Sequence, residues 1–115
     1  MALAPSFDVP PGVSISVRII DTTASLKLPI APFMDPPMPG FTHFEGPTYS
    51  FLLEHPSGRK LLFDMGVRKD WTNLAGPIVN LIQSLGWEVK VEKNMIEILE
   101  ENGVKRNDIE AIIWR

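Results

Sequence analysis

The chain has 115 residues, with 14 Asp and Glu against 11 Lys and Arg and a formal charge of -3. That length suits one domain, and 44% hydrophobic with 22% charged residues is the composition of a folded chain rather than a disordered one. The mild acidity, without any basic block, removes nucleic acid as an expected partner, and the absence of cysteine excludes disulfides, thiolate metal sites and a cysteine nucleophile.

The opening stretch MALAPSFDVPPG has neither a basic leader nor a continuous apolar run, and no later stretch approaches the roughly 20 apolar residues of a membrane span. A soluble, cytoplasmic protein with no membrane partner is the expectation. Residues 1–12 read as an irregular N-terminal arm closed by Pro10, Pro11 and Gly12. Val13, Ile15, Val17 and Ile19 then alternate with Ser14, Ser16 and Arg18, a period of two that predicts a strand with one buried face.

Across residues 28–40 the composition shifts. Pro29, Pro32, Pro36, Pro37 and Pro39 remove so many backbone donors that neither helix nor ladder can persist, so a long loop is predicted. Ile30, Phe33, Met34, Met38 and Phe41 give it apolar anchors that a solvated linker does not need. Two readings stand: packing over a core edge, or a substrate-facing lid with Phe33, Met34, Phe41 and His43 as its candidate contact residues.

Residues 49–54 and 60–63 are aromatic and aliphatic runs on either side of His55, Pro56, Ser57 and Gly58, which have turn chemistry, and an antiparallel hairpin follows. The second strand ends at Asp64, with Met65 and Gly66 next. Pro77 at a first helical position and Gly86 at a C-terminal cap bracket Ile78, Val79, Leu81, Ile82 and Leu85 at helical spacing. Asn94, with Glu97 three residues on, opens a second helix in a variant of the capping box, and Gly103 closes it. Lys90, Glu92, Lys93, Glu97, Glu100, Glu101, Lys105 and Arg106 read as a solvated helical face. Ile109 and then Ala111, Ile112, Ile113 and Trp114 form a short continuous apolar run, the pattern of a strand covered on both faces. The order of strand, loop, hairpin, helices and strand is an α/β arrangement: a mixed sheet with helices on one side.

Few residues carry chemistry by pattern. His43 and His55 stand apart, each without a second histidine or carboxylate at ligand spacing, and read as a polar loop residue and a turn residue. Trp71, Trp87 and Trp114 read as core or interface anchors. Neither a phosphate-binding glycine loop nor a nucleophile elbow nor a HExxH pattern occurs. Asp64 stands out, because the carboxyl end of a buried strand is where α/β sheets place functional groups. The competing reading is an aspartate that caps its own turn by accepting backbone N–H bonds.

Two segments, FLLEHPSGRKLLFDMGVRKDW and ILEENGVKRNDIEAIIWR, in that order and separation, resemble the N-terminal part of metallo-β-lactamase-fold hydrolases, most closely the lactonase-like members of fungal type. The resemblance spans about residues 13–115 and implies the N-terminal half of an αββα sandwich, a partial domain whose final strand would lead into a zinc-binding His-x-His-x-Asp-His motif beyond Arg115. It implies that Asp64 is the family's first motif aspartate, supporting the zinc ligands without binding the metal, and that Gly66 is the turn glycine. No metal ligand or catalytic residue carries over. The implied function is a truncated hydrolase, inactive alone, whose full-length relatives use zinc-activated water on an ester, lactone or thioester in fungal secondary metabolism. The uncovered half-sandwich implies self-association. The alternative is a non-enzymatic module that docks a partner chain through its sheet face and Pro-rich loop.

Overall fold

A computed structural model describes residues 8–114; residues 1–7 of the expected N-terminal arm, and residue 115, lie outside it. Residues 8–12 have no regular structure and are exposed. Five strands form one mixed sheet in the order β4-β1-β2-β3-β5: β1 (Ser16–Pro29), β2 (His43–Glu54), β3 (Lys60–Phe63), β4 (Glu88–Val91) and β5 (Ile109–Ile113). All pairings are antiparallel except β3 with β5, which is parallel. The helices are α1 (Gly76–Ser84) and α2 (Met95–Glu101). No helix among the described residues is long and apolar enough to cross a membrane.

The predicted first strand is longer than its alternating segment. β1 begins at Ser16, after Val13 and Ile15, and continues through Thr22 and Thr23 to Pro29. An irregularity between Asp21 and Ser25, with Thr23 at φ 59, breaks the apolar alternation and interrupts the pairing to β2, which resumes in a shifted register at Ser25. β2 likewise starts at His43, opposite Pro29, so the Pro-rich loop, residues 30–42, lies two residues later than expected and closes a long β1–β2 ribbon. Ile30 N donates to Thr42 O at 2.9 Å and extends that ladder by one bond into the loop.

The hairpin forms as predicted, with β3 bounded at Lys60 and Phe63 and the His55 turn closed by a Gly58 N to His55 O bond of 2.9 Å. Both helices end as their glycines suggest. At α2, Gly103 takes φ 78 and donates to Glu100 O, and Val104 N reaches back to Leu99 O at 2.9 Å while both side chains enter the core. The start of α2 departs from expectation: Asn94 precedes the helix in extended conformation but makes no side-chain cap bond.

Two other expectations need correction. Glu88, Val89, Lys90 and Val91 form β4 against β1, so Lys90 belongs to a strand and not to a solvated helical face; Val89 and Val91 are half-buried while Glu88 and Lys90 point outward. Lys105 and Arg106 lie beyond α2, in the short turn before β5. The apolar run at the end does form a strand, but β5 is the outer edge of the sheet and is not covered on both faces: Ile112 and Ile113 are 43% and 41% exposed. Trp114 beyond it is 78% exposed, which removes it from the core.

The core occupies one face of the sheet. Leu52 and Leu62, opposite each other on β2 and β3, are buried beneath Met95, Leu99 and Val104, with Ile20, Met65 and Ile109 at the margin. Among the described residues nothing packs over the other face. The register lines up Ile19, Phe51, Phe63 and Ile113 across four strands, with Val17, Leu53, Leu61 and Ala111 as the next row. Phe51 and Phe63 meet edge to face at 6.2 Å, yet Val17 and Ile19 remain 55% and 70% exposed. α1 adds no cover, since it buries no residue and leaves Ile78 and Leu81 half exposed. The radius of gyration, 18.3 Å, compares with about 13 Å for a compact domain of this length. The accessible surface of 8882 Å² compares with about 6,300 Å² for a typical monomer of this mass.

A row of apolar side chains this broad promotes association. The purified chain should bind an apolar dye such as ANS and self-associate in sedimentation, and Ile19→Lys should reduce both. A second expectation concerns β5, which Arg59 ties to the hairpin turn through two bonds to Glu110, 2.7 and 2.6 Å. The hydrogen bond from Arg59, then its charge, holds the Glu110 carboxyl below its ordinary value. A depressed carboxylate stabilises the fold above its unfolded pKa and loses that contribution as pH falls through the folded one. The effect is small for so exposed a pair. Acid titration of thermal stability should therefore lose a shallow component in Glu110→Gln, the small deficit against the parent being greatest at neutral pH and vanishing in acid.

Candidate functional site

The parallel pair β3 and β5 ends at one place, and the chain turns away there. Asp64, the residue after β3, adopts φ 65, and Gly66 φ 70. A left-handed backbone is uncommon outside glycine but is tolerated by aspartate, whose short side chain can bond locally. Asp64 does so: its Oδ1 accepts the Gly66 N–H at 2.9 Å, while its own N–H donates to Ile113 O at 3.0 Å and ties the turn to the end of β5. The turn-capping role is thus present. It sits at the carboxyl end of parallel strands, where a supporting role for Asp64 would also place it.

Gly66 is needed for two reasons. Its positive φ disfavours any side chain, and a Cβ built there would lie 3.0 Å from Thr22 Cγ2 and 3.2 Å from Thr22 Cβ. Thr22 is 3% exposed, donates to Thr48 O at 2.8 Å and also contacts the Thr48 hydroxyl. Nearby on β2, Ser50 is fully buried, and its hydroxyl has no hydrogen-bond partner among the described residues. Sequence patterns missed Thr22 and Ser50, because isolated hydroxyls in a strand carry no motif. The only signal was the break that Thr22 and Thr23 make in the apolar alternation.

Beside this turn lies a cleft of about 490 Å³ whose lining includes Met65, Val67, Arg68, Asn94, Ile96 and Trp114. Arg68 forks onto Asp70 with bonds of 3.0 and 2.7 Å, and this first of all holds the Asp70 carboxyl below its usual range. The charges in the cleft wall are therefore largely paired with each other.

The candidate loop residues stand elsewhere. Phe33, Met34, Phe41 and His43 cluster at the far end of the β1–β2 ribbon, seven residues of β2 from Ser50, which is roughly 23 Å at the usual strand rise. Phe33 is 60% exposed and lies 6.4 Å from the Trp87 ring, a contact that fastens the loop to the entrance of β4. The structure therefore brings Asp64 and Gly66 together and leaves the four loop residues apart from them.

The donor set does not fit a metal ion. Among the described residues no three His, Asp or Glu side chains converge. His43 Nδ1 lies 3.0 Å from the Thr42 hydroxyl, His55 Nδ1 lies 2.7 Å from the Ser57 hydroxyl, and one Asp64 oxygen is taken by Gly66.

The tightness around Gly66 gives a direct expectation. Gly66→Ala should cost about 1–2 kcal/mol for the left-handed backbone alone, read as a shift in urea denaturation midpoint. Thr22→Ser in that background, by deleting the nearest methyl, should relieve the further steric part.

No protein-family model matches the chain. Among curated proteins it is 35% identical over 119 residues to "Gamma-lactamase FDB1" of Fusarium pseudograminearum, a match that takes in 97% of this chain and 29% of that protein. It is 36% identical over 115 residues to "Metallo-hydrolase mfmC" of Annulohypoxylon moriforme, covering 96% of this chain and 30% of the relative. It is 38% identical over 118 residues to "Cytochrome P450 monooxygenase mpaDE'" of Penicillium brevicompactum, of which it covers 14%. The chain thus spans less than a third of the curated relatives it matches. With the mixed five-stranded sheet and its two helices, these matches show that the chain resembles part of a metallo-β-lactamase-fold hydrolase of the fungal lactamase-like kind.

Proposed function

We propose that residues 13–115 form the N-terminal scaffold of a metal-dependent hydrolase whose metal ligands and second sheet come from chain outside this sequence. The observation that carries the reading is the match of almost the whole chain to a protein named as a gamma-lactamase and another named as a metallo-hydrolase. The bare rows headed by Val17 and Ile19 support it, because a second sheet packed at the usual ~10 Å spacing would bury them as the inner face of a sandwich. The reaction class is hydrolysis of a small ester, lactone, thioester or cyclic amide, with zinc as the metal, in a cytoplasmic protein of fungal secondary metabolism. The 115 residues alone are inactive and bind no zinc.

Within this reading Asp64 is a positioning residue behind the metal and Gly66 the glycine that lets the chain leave the strand. Partners of that kind change metal affinity by roughly 10- to 100-fold when removed. In a protein that joins this segment to the remainder found in its relatives, Asp64→Ala should weaken zinc retention by about that factor against a competing chelator. Retention equal to the parent's would reduce Asp64 to a turn residue.

A second reading draws on the same bare face together with exposed Phe33 and Met38 on the loop. In it, the chain is a docking module completed by a partner, and joining it to the relatives' remainder yields neither zinc binding nor hydrolysis.

A further inference from the structure

We infer that Asn94, with Thr22 and Thr23, forms a clamp that fixes residues 64–70 and so orients Asp64; its meaning for chemistry rests on the hydrolase reading above.

Asparagine is among the best helix N-caps, and Asn94 stands at the cap position of α2. Its side chain does not serve the helix. Oδ1 instead accepts the Lys69 N–H at 2.9 Å, across 25 residues of sequence. A cap oxygen diverted from its own helix to a distant loop indicates that the loop's position is what the residue secures.

The other end of the loop is held by the irregularity in β1. Thr22 is pinned to β2 through its bond to Thr48 O, and its methyl forms the seat of Gly66. Next to it, Thr23 turns outward at φ 59, its N–H donating to Asp21 Oδ1 at 2.9 Å. That conformation lets the Thr23 hydroxyl accept the Lys93 N–H at 2.8 Å, directly before Asn94. One two-residue irregularity therefore supports both ends of the loop: Thr22 under Gly66, and Thr23 under the segment that carries Asn94. At the first of these supports is the bond from Gly66 N–H to Asp64, whose direction depends on where Gly66 sits.

The clamp predicts a pattern that capping does not. By hydrogen exchange and mass spectrometry on the 115-residue chain, Asn94→Ala should speed exchange in the peptide covering residues 64–70 about tenfold, the scale of one lost hydrogen bond. Asn94→Asp keeps an oxygen at the same reach and should restore protection. Asn94→Ser is a good cap with too short a side chain for Lys69, so it should protect α2 while leaving residues 64–70 fast. Thr22→Val, which keeps the methyl seat and removes the bond to Thr48, should loosen the loop less than Asn94→Ala. Unchanged exchange at residues 64–70 in Asn94→Ala, or full rescue by Asn94→Ser, would overturn the clamp. The readout involves neither metal nor substrate, so a failed hydrolase reading leaves this result standing, and a failed clamp leaves the hydrolase reading standing.

Discussion

Burial of Leu52 and Leu62 beneath Met95, Leu99 and Val104 is the contact on which the rest of the structure depends. Apolar burial is the main favourable term in folding, and here it is concentrated in one small cluster drawn from β2, β3, α2 and the segment just after α2. The cluster also decides topology. α2 lies between β3 and β5 in sequence and covers the sheet beside them, so β5 returns parallel to β3. Parallel return brings Phe63 and Ile113 level, which is why the 64–66 turn can bond to the end of β5. The candidate site is a consequence of where the core sits.

The same contact explains what is exposed. Strand side chains alternate between faces, so every residue placed under α2 sends its neighbours to the other side. Leu52 and Leu62 go in; Phe51, Leu53, Leu61 and Phe63 come out, onto a face that nothing in the described residues covers. The rows are continuous across four strands and contain an aromatic pair already in edge-to-face contact, an arrangement suited to an interior rather than to water.

Much of the fold was legible because its signals were local. The hairpin, the proline start of α1 and the glycine stops of both helices each depend on a few adjacent residues, and each formed as read. What escaped was decided at a distance. β4 has only Val89 and Val91 to show its period, and the charges around them match a helical surface equally well. The apolar alternation runs only to Ile19, although pairing with β2 resumes beyond Thr22 and Thr23 and carries β1 to Pro29. The terminal apolar run correctly signalled a strand, but two-face burial depends on what packs above and below the sheet, and Ile112 and Ile113 remain half exposed. At the candidate site, Asp64 and Gly66 were visible as a turn after a strand. Ser50 and the reach of Asn94 to Lys69 depend on segments separated by tens of residues and leave no trace in a local pattern.

Asp64 shows why a single hydrogen bond cannot separate a structural aspartate from a supporting one. A turn that only needed capping would be satisfied by the bond from Gly66, and nothing farther away would have to be arranged. Here the turn is also seated on a buried threonine, tied to the end of a parallel neighbour and continued into a loop that takes the oxygen of Asn94 away from α2. Each of these contacts uses a residue that could have served its own element: Thr22 interrupts its strand, and Asn94 leaves its helix uncapped. Local consistency is what a sequence optimised only for folding displays. At two elements that consistency is given up, and what the diverted side chains hold is the one turn that carries Asp64.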